Sequence, residues 1–187
     1  LLLILFIIPL LSVASTIKVC KSCKVSSITV AVDLAKDGDS IIVAKGIYKE
    51  HNIIIRKSLS IIGVDSPIID GEFKGTIFTF KANNFSIEGF TIINIGQSYT
   101  KDFTAILVSR SRNFTIKNNV FKNVFFGILV EKSHFGTISN NNLTSNATTE
   151  AGAGNGIHLW HCSNMTIKNN DLSFLRDGIY FEFVSKS

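Results

Sequence analysis

Proline occurs twice and methionine once in 187 residues. Helix-type periodicity is just as scarce, confined to one stretch near the N-terminus, and this excludes a helical bundle. Lys and Arg nowhere gather into a patch or stripe. That absence removes the nucleic-acid binders, and the formal charge of +5 reads as solubility. No Asp-Asp pair occurs, and there is neither an initiator Met nor a basic segment ahead of the first apolar run.

What the chain has in abundance is repetition. Asn164–Phe181, N-M-T-I-K-N-N-D-L-S-F-L-R-D-G-I-Y-F, is one full unit. Its first half recurs from Asn84, Asn113 and Phe135, and its second half at Thr76, Ala105, Gly127 and Gly156. The first-half isoleucines, Ile87, Ile116, Ile138 and Ile167, lie 29, 22 and 29 residues apart. The second-half series, Ile77, Ile106, Ile128, Ile157 and Ile179, is spaced 29, 22, 29 and 22. A base period of 22 with insertions of 7 is a solenoid whose loops bulge at one corner. The insertions fall in the polar stretches Gly96–Asp102 and Asn146–Gly152.

Within each copy apolar residues alternate, which predicts short strands. A strand of four or five residues cannot bury its face alone. Stacked on its copies about 4.8 Å apart it joins a parallel sheet around a narrow apolar cylinder. The predicted fold is all-β: a right-handed single-stranded parallel β-helix with coils of about 22 residues and a short N-terminal capping helix. Asn119, Asn141 and Asn170 each follow a stripe isoleucine by three residues, so they are expected to form an amide ladder and to occupy the left-handed corners. Phe90 stands at that position one coil earlier, so the ladder is expected to start mid-chain.

The domain plan has three parts. Residues 1–14 read as the apolar core and small-residue cleavage site of a secretory signal, truncated at its start. Residues 15–26 are expected to be a flexible arm carrying C-K-S-C, with Cys20 and Cys23 either disulfide-bonded, free, or a soft-metal or redox pair. Residues 27–187 are the β-helix, expected to be incomplete at its C-terminus. The segment Ser27–Lys36 puts Ile28, Ala31, Val32 and Ala35 on one helical face, with Ser26 or Ser27 to cap it and Gly38 to end it. It is expected to close the open end of the cylinder.

Two regions could carry chemistry. Aligning the repeat puts Leu129, His158 and Tyr180 in one outward column and Glu131, Trp160 and Glu182 in the next. Aromatic rings beside carboxylates suit partner docking or sugar stacking. The second region, Gly156–Met165, concentrates His158, His161, Cys162 and Met165, a ligand set that suits Cu(I). Met165 replaces Phe85 and Phe114 in the repeat and reads as core, which leaves His161 and Cys162 as the better metal candidates. A polysaccharide lyase or hydrolase would need clustered carboxylates with a basic residue. Arg176, Asp177 and Glu182 are a minimal version, but the residues equivalent to Asp177 are Thr104, Phe126 and Asn155, and an Arg–Asp corner pair fits better.

The cap and first strand S-I-T-V-A-V-D-L-A-K-D-G-D-S-I-I-V-A-K-G-I-Y-K-E, with H-N-I-I-I-R-K-S-L-S-I-I-G, I-I-D-G-E, G-N-G-I-H-L-W and R-D-G-I-Y-F-E-F-V, resemble the NosD family. These are periplasmic β-helix proteins of nitrous-oxide reductase maturation. The resemblance implies an exported, periplasmic, non-catalytic protein that handles copper. Its implied partners are an ABC transporter ATPase/permease complex, a copper lipoprotein and nitrous-oxide reductase. The rival expectation is a carbohydrate-active β-helix, a lyase, hydrolase or epimerase.

Overall fold

The computed structural model describes residues 14–98, 101–149 and 152–187. The leader expected over 1–14 therefore lies, but for its last residue, outside the described residues. The chain winds through three parallel sheets, visiting each in turn. The first has seven strands: Thr16–Val19, Ser40–Val43, Ser60–Gly63, Ser86–Glu88, Arg112–Lys117, His134–Ser139 and Thr166–Lys168. The second has six: Ile53–Ile55, Phe78–Phe80, Thr104–Ser109, Phe126–Glu131, Ile157–Trp160 and Ile179–Glu182. The third also has six: Ile47–Lys49, Ile68–Asp70, Thr91–Ile93, Val120–Lys122, Asn142–Thr144 and Asp171–Ser173.

The register follows the repeat. Ile87, Ile116, Ile138 and Ile167 pair in sequence along the first sheet. Ile106, Ile128, Ile157 and Ile179 pair along the second. One position is corrected: Ile106 pairs with Phe78, not with Ile77. Phe78 and Phe80 are the inward residues of that strand, and Ile77 is buried just before it. The chain has 15 phenylalanines, and several line this core. Phe80 stacks on Phe85 with ring centres 4.1 Å apart, and Phe85 on Phe114 at 5.3 Å, so the rings continue up the column from coil to coil. Such pairs add ~0.5–1.5 kcal/mol each beyond their burial. Gly136 pairs with Phe114 in the next coil, where the Phe114 ring and the Met165 methyl occupy the space a side chain would need. Met165 is thus a core residue, as its place in the repeat predicts.

The expected flexible arm over 15–26 begins instead as a rung of the first sheet. Thr16–Val19 pairs in parallel with Ser40–Val43, and the Ser15 N–H donates to Asp39 at 2.7 Å. Cys20 and Cys23 are disulfide-bonded just after it. Helix α1 (Ile28–Leu34) follows, capped by the Ser27 hydroxyl, with Ile28, Ala31 and Val32 turned into the core. It packs against the first strands of the cylinder, where unpaired edges would otherwise stand open. Glu50 binds its N-terminus, accepting from the Ile28 and Thr29 N–H groups at 2.8 and 2.9 Å. Lys57 donates to the Val32 and Asp33 carbonyls near the other end. Both charges match the helix dipole. The helix ends at Ala35, before Gly38, whose φ of +89° makes the turn into the next strand.

The amide ladder is present. Asn119 Nδ2 donates to Asn141 Oδ1 at 3.1 Å, and Asn141 Nδ2 to Asn170 Oδ1 at 3.0 Å. Asn119 Oδ1 accepts from the Phe90 N–H, so the ladder ends where the sequence runs out of asparagine. The left-handed corners lie one residue earlier than expected, at Asn118, Asn140 and Asn169. The side chain that bonds up the column and the backbone that turns the corner are neighbours, not the same residue.

Candidate functional site

The outward columns stand where the repeat alignment puts them. Leu129, His158 and Tyr180 are register partners on three successive strands of the second sheet, as are Glu131, Trp160 and Glu182. They form the floor of one groove of about 510 Å³. Its walls are Phe126, the first residue of its strand, and Asp102, Asn155 and Arg176 from the loops leading into the strands. Sequence alignment missed Asp102 because it sits in an insertion, where the repeat has nothing to align it with.

The groove is ordered by contacts between neighbouring rungs. The Ser109 hydroxyl donates to Glu131 at 2.6 Å. Tyr180 meets the His158 ring edge-on, with centres 4.9 Å apart. Glu182 reaches within 4.0 Å of His158 Nε2, too far for a hydrogen bond, and that nitrogen is buried without a partner. Burial holds the His158 pKa below its ordinary value, while Glu182 and Asp102 pull weakly the other way. The imidazole is therefore neutral at neutral pH and able to accept a proton. Arg176 donates to Asn155 Oδ1 at 2.9 Å and pairs with Asp177 at 3.4 Å, the corner pair expected from the sequence. Lys132 Nζ lies 4.8 Å from the centre of the Trp160 ring and helps to fix it.

The metal candidates do not converge. Cys20 and Cys23 have no free thiol, being bonded to each other. His161 belongs to a corner column with Arg110, Lys132 and Phe183, all with φ near +50°. Its ring is exposed and stacks on Phe183 at 4.5 Å. After the first three of these corners the next residue turns inward: Ser111, Ser133 and then Cys162. The two serines donate to the carbonyl two residues back, and the Cys162 thiol does the same to Trp160. Burial raises the Cys162 pKa, so it is a thiol in a serine's place and not a thiolate. His158 lies in the groove on another column. Among the described residues no three His, Cys, Asp or Glu side chains are grouped to hold a metal ion. The residues thus do not fit the copper site expected of them.

Stacked parallel rungs, corner asparagines and a helical cap define a right-handed parallel β-helix. The chain belongs to the family of the right handed beta helix region, which matches residues 14–172. It is 26% identical over 148 residues to the probable ABC transporter binding protein NosD of Pseudomonas aeruginosa, covering 78% of this chain and 34% of that protein. It is 42% identical over 91 residues to a cell surface glycoprotein of Methanothermus fervidus, covering 48% of this chain and 14% of that one. The chain thus spans about a third of the first relative and a seventh of the second. Among solved structures it resembles an iota-carrageenase complexed with iota-carrageenan fragments, at 19% identity and a TM-score of 0.55, over 75% of this chain and 35% of the other. That likeness corrects the expectation that the chain is not an enzyme: the same coil is the fold of a carrageenase, so the architecture gives no ground for a non-catalytic role.

Proposed function

We propose that the groove on the second sheet binds a saccharide chain and that Glu131 and Glu182 act on it as a glycoside-cleaving pair. The observation that carries this reading is the rung order. Trp160 lies between the two glutamates, each one strand away in register. Two strand spacings separate their backbones by roughly 9.6 Å. That is close to the ~6.5–9.5 Å that carboxyl groups need to leave room for a water in inverting hydrolysis. A sugar ring stacked on Trp160 would then have a carboxyl group on each side. His158 lies beside Glu182 without a hydrogen bond to it, and the Ser109 hydroxyl orients Glu131. The disulfide suits an exported chain.

The test is binding and cleavage of a panel of oligosaccharides, followed by calorimetry and by release of reducing ends. Trp160→Ala is expected to weaken binding about tenfold or more, as loss of a buried aromatic anchor does. Glu131→Gln is expected to lose cleavage while binding of uncharged oligosaccharides persists. Binding indifferent to Trp160→Ala would overturn the reading.

A second reading is favoured by the likeness to NosD over most of the chain. In it the protein is periplasmic, meets an ABC transporter complex, a copper lipoprotein and nitrous-oxide reductase, and uses the Trp160, Tyr180, Glu131 and Glu182 surface for docking, with copper as cargo. Co-purification with the ATPase and permease would support it. Cu(I) uptake no greater than that of one bare thiol would count against copper handling.

A further inference from the structure

The groove is opposite in sign to the protein that carries it. The chain has a formal charge of +5, yet the groove holds three carboxylates, Asp102, Glu131 and Glu182, against the single guanidinium of Arg176. Arg176 is already engaged, bonded to Asn155 and paired with Asp177. His158 adds no positive charge at neutral pH, because its half-buried ring, with Nε2 enclosed, is held neutral. An anionic sugar would meet like charge in a partly enclosed space whose described lining offers only Arg176, with Lys132 at its edge already set over the Trp160 ring. A sugar bearing an ammonium group meets carboxylates from three coils and the aromatic rings of Trp160 and Tyr180.

We infer that the groove selects amino sugars: saccharides with protonated amino groups, in preference to uronate or sulfated chains. The inference rests on the saccharide reading of the same groove and adds its substrate class. Asp102 is the residue that sets this selectivity apart from cleavage. It stands on the inserted loop at the groove wall, exposed, and not on the strands that carry the glutamate pair. Glu131, held by Ser109 at 2.6 Å, and Glu182 on the last strand supply the rest of the negative field.

The experiment titrates the 187-residue chain with three oligomers of equal length: glucosamine, N-acetylglucosamine and galacturonate. It is run just below neutral pH and at low ionic strength, where amino groups carry charge, His158 stays neutral and screening is weak. Glucosamine oligomers are expected to bind about tenfold tighter than the N-acetylated ones, the equivalent of one well-placed charged contact. Galacturonate is expected to bind weakest. Added salt and Asp102→Asn should each shrink the glucosamine preference, read as the ratio of the glucosamine to the N-acetylglucosamine affinity. Equal affinity for glucosamine and N-acetylglucosamine, or a preference for galacturonate, overturns the substrate class and leaves the saccharide reading standing. No binding of any of the three overturns both.

Discussion

Asn119 and Asn141 are bonded amide to amide across two coils, Nδ2 to Oδ1 at 3.1 Å, and both are buried. The same Asn141 oxygen accepts from the Asn119 backbone N–H, and its Nδ2 donates to the Ile116 carbonyl at 3.0 Å. The middle amide of the ladder therefore satisfies backbone groups that have no access to water. Asn141→Ala would strand the buried Asn119 N–H, at ~1–3 kcal/mol, and take one hydrogen bond each from Asn119 Nδ2 and the Ile116 carbonyl. A loss of about 3 kcal/mol or more is expected, read as a lower midpoint in urea at an unchanged slope. A loss below about 1 kcal/mol would mean the ladder is decoration.

Cys162 occupies the place that Ser111 and Ser133 hold in the preceding coils, donating to the same kind of carbonyl. Cys162→Ser is expected to change stability by less than about 1 kcal/mol. Cys162→Leu, which forces bulk into a closed column and removes a donor, should cost ~1–3 kcal/mol. A thiol reagent should leave the native protein unmodified at Cys162 until it unfolds.

The capping helix is only seven residues long and depends on outside partners. Glu50 takes four donors there: two backbone N–H groups and the hydroxyls of Ser27 and Thr29. Glu50→Ala is expected to cost ~1–2 kcal/mol, in the range of a lost N-cap. Faster amide exchange confined to Ser27–Leu34 would place the damage at the cap and not in the cylinder.

His158 should make the fold acid-sensitive. Its pKa is lowered in the folded state, by burial first, against an ordinary value of 6.5. The unfolded chain therefore takes up the proton before the folded one does. The stability tied to this ring is complete above about pH 6.5 and is lost as the pH falls from there toward the folded pKa. Glu182, Asp102 and Asp177 facing the ring oppose the shift and Arg176 adds to it. His158→Gln should flatten this part of the pH–stability curve, measured by thermal melts from neutral to mildly acid pH. A slope unchanged in the variant would assign it to other groups.

The solenoid was legible because a repeat is its own alignment. The isoleucine spacings give the rungs, and they also give the columns Leu129–His158–Tyr180 and Glu131–Trp160–Glu182 to the residue. Where the repeat is silent, the sequence was less informative. Asp102 lies in an insertion, and nothing local distinguishes it from any loop acid. Thr16–Val19 is a first rung without the repeat's consensus, so a strand read as an arm. The candidate copper ligands do not converge, for a geometric reason. His161 and Cys162 are adjacent in sequence, but a left-handed corner sends one side chain out and the next one in. Proximity along the chain carries no information about convergence at such a corner.

Both seven-residue insertions fall between a strand of the third sheet and one of the second; the first ends at Asp102 and the second three residues before Asn155, both in the groove wall. The rungs beneath keep their pairing whether or not the loop above is long. Selectivity and stability are thereby written in separate parts of the molecule. A graft that exchanges residues 96–102 for another loop can retune what the groove accepts while the ladder of Asn119, Asn141 and Asn170 goes on holding the tube.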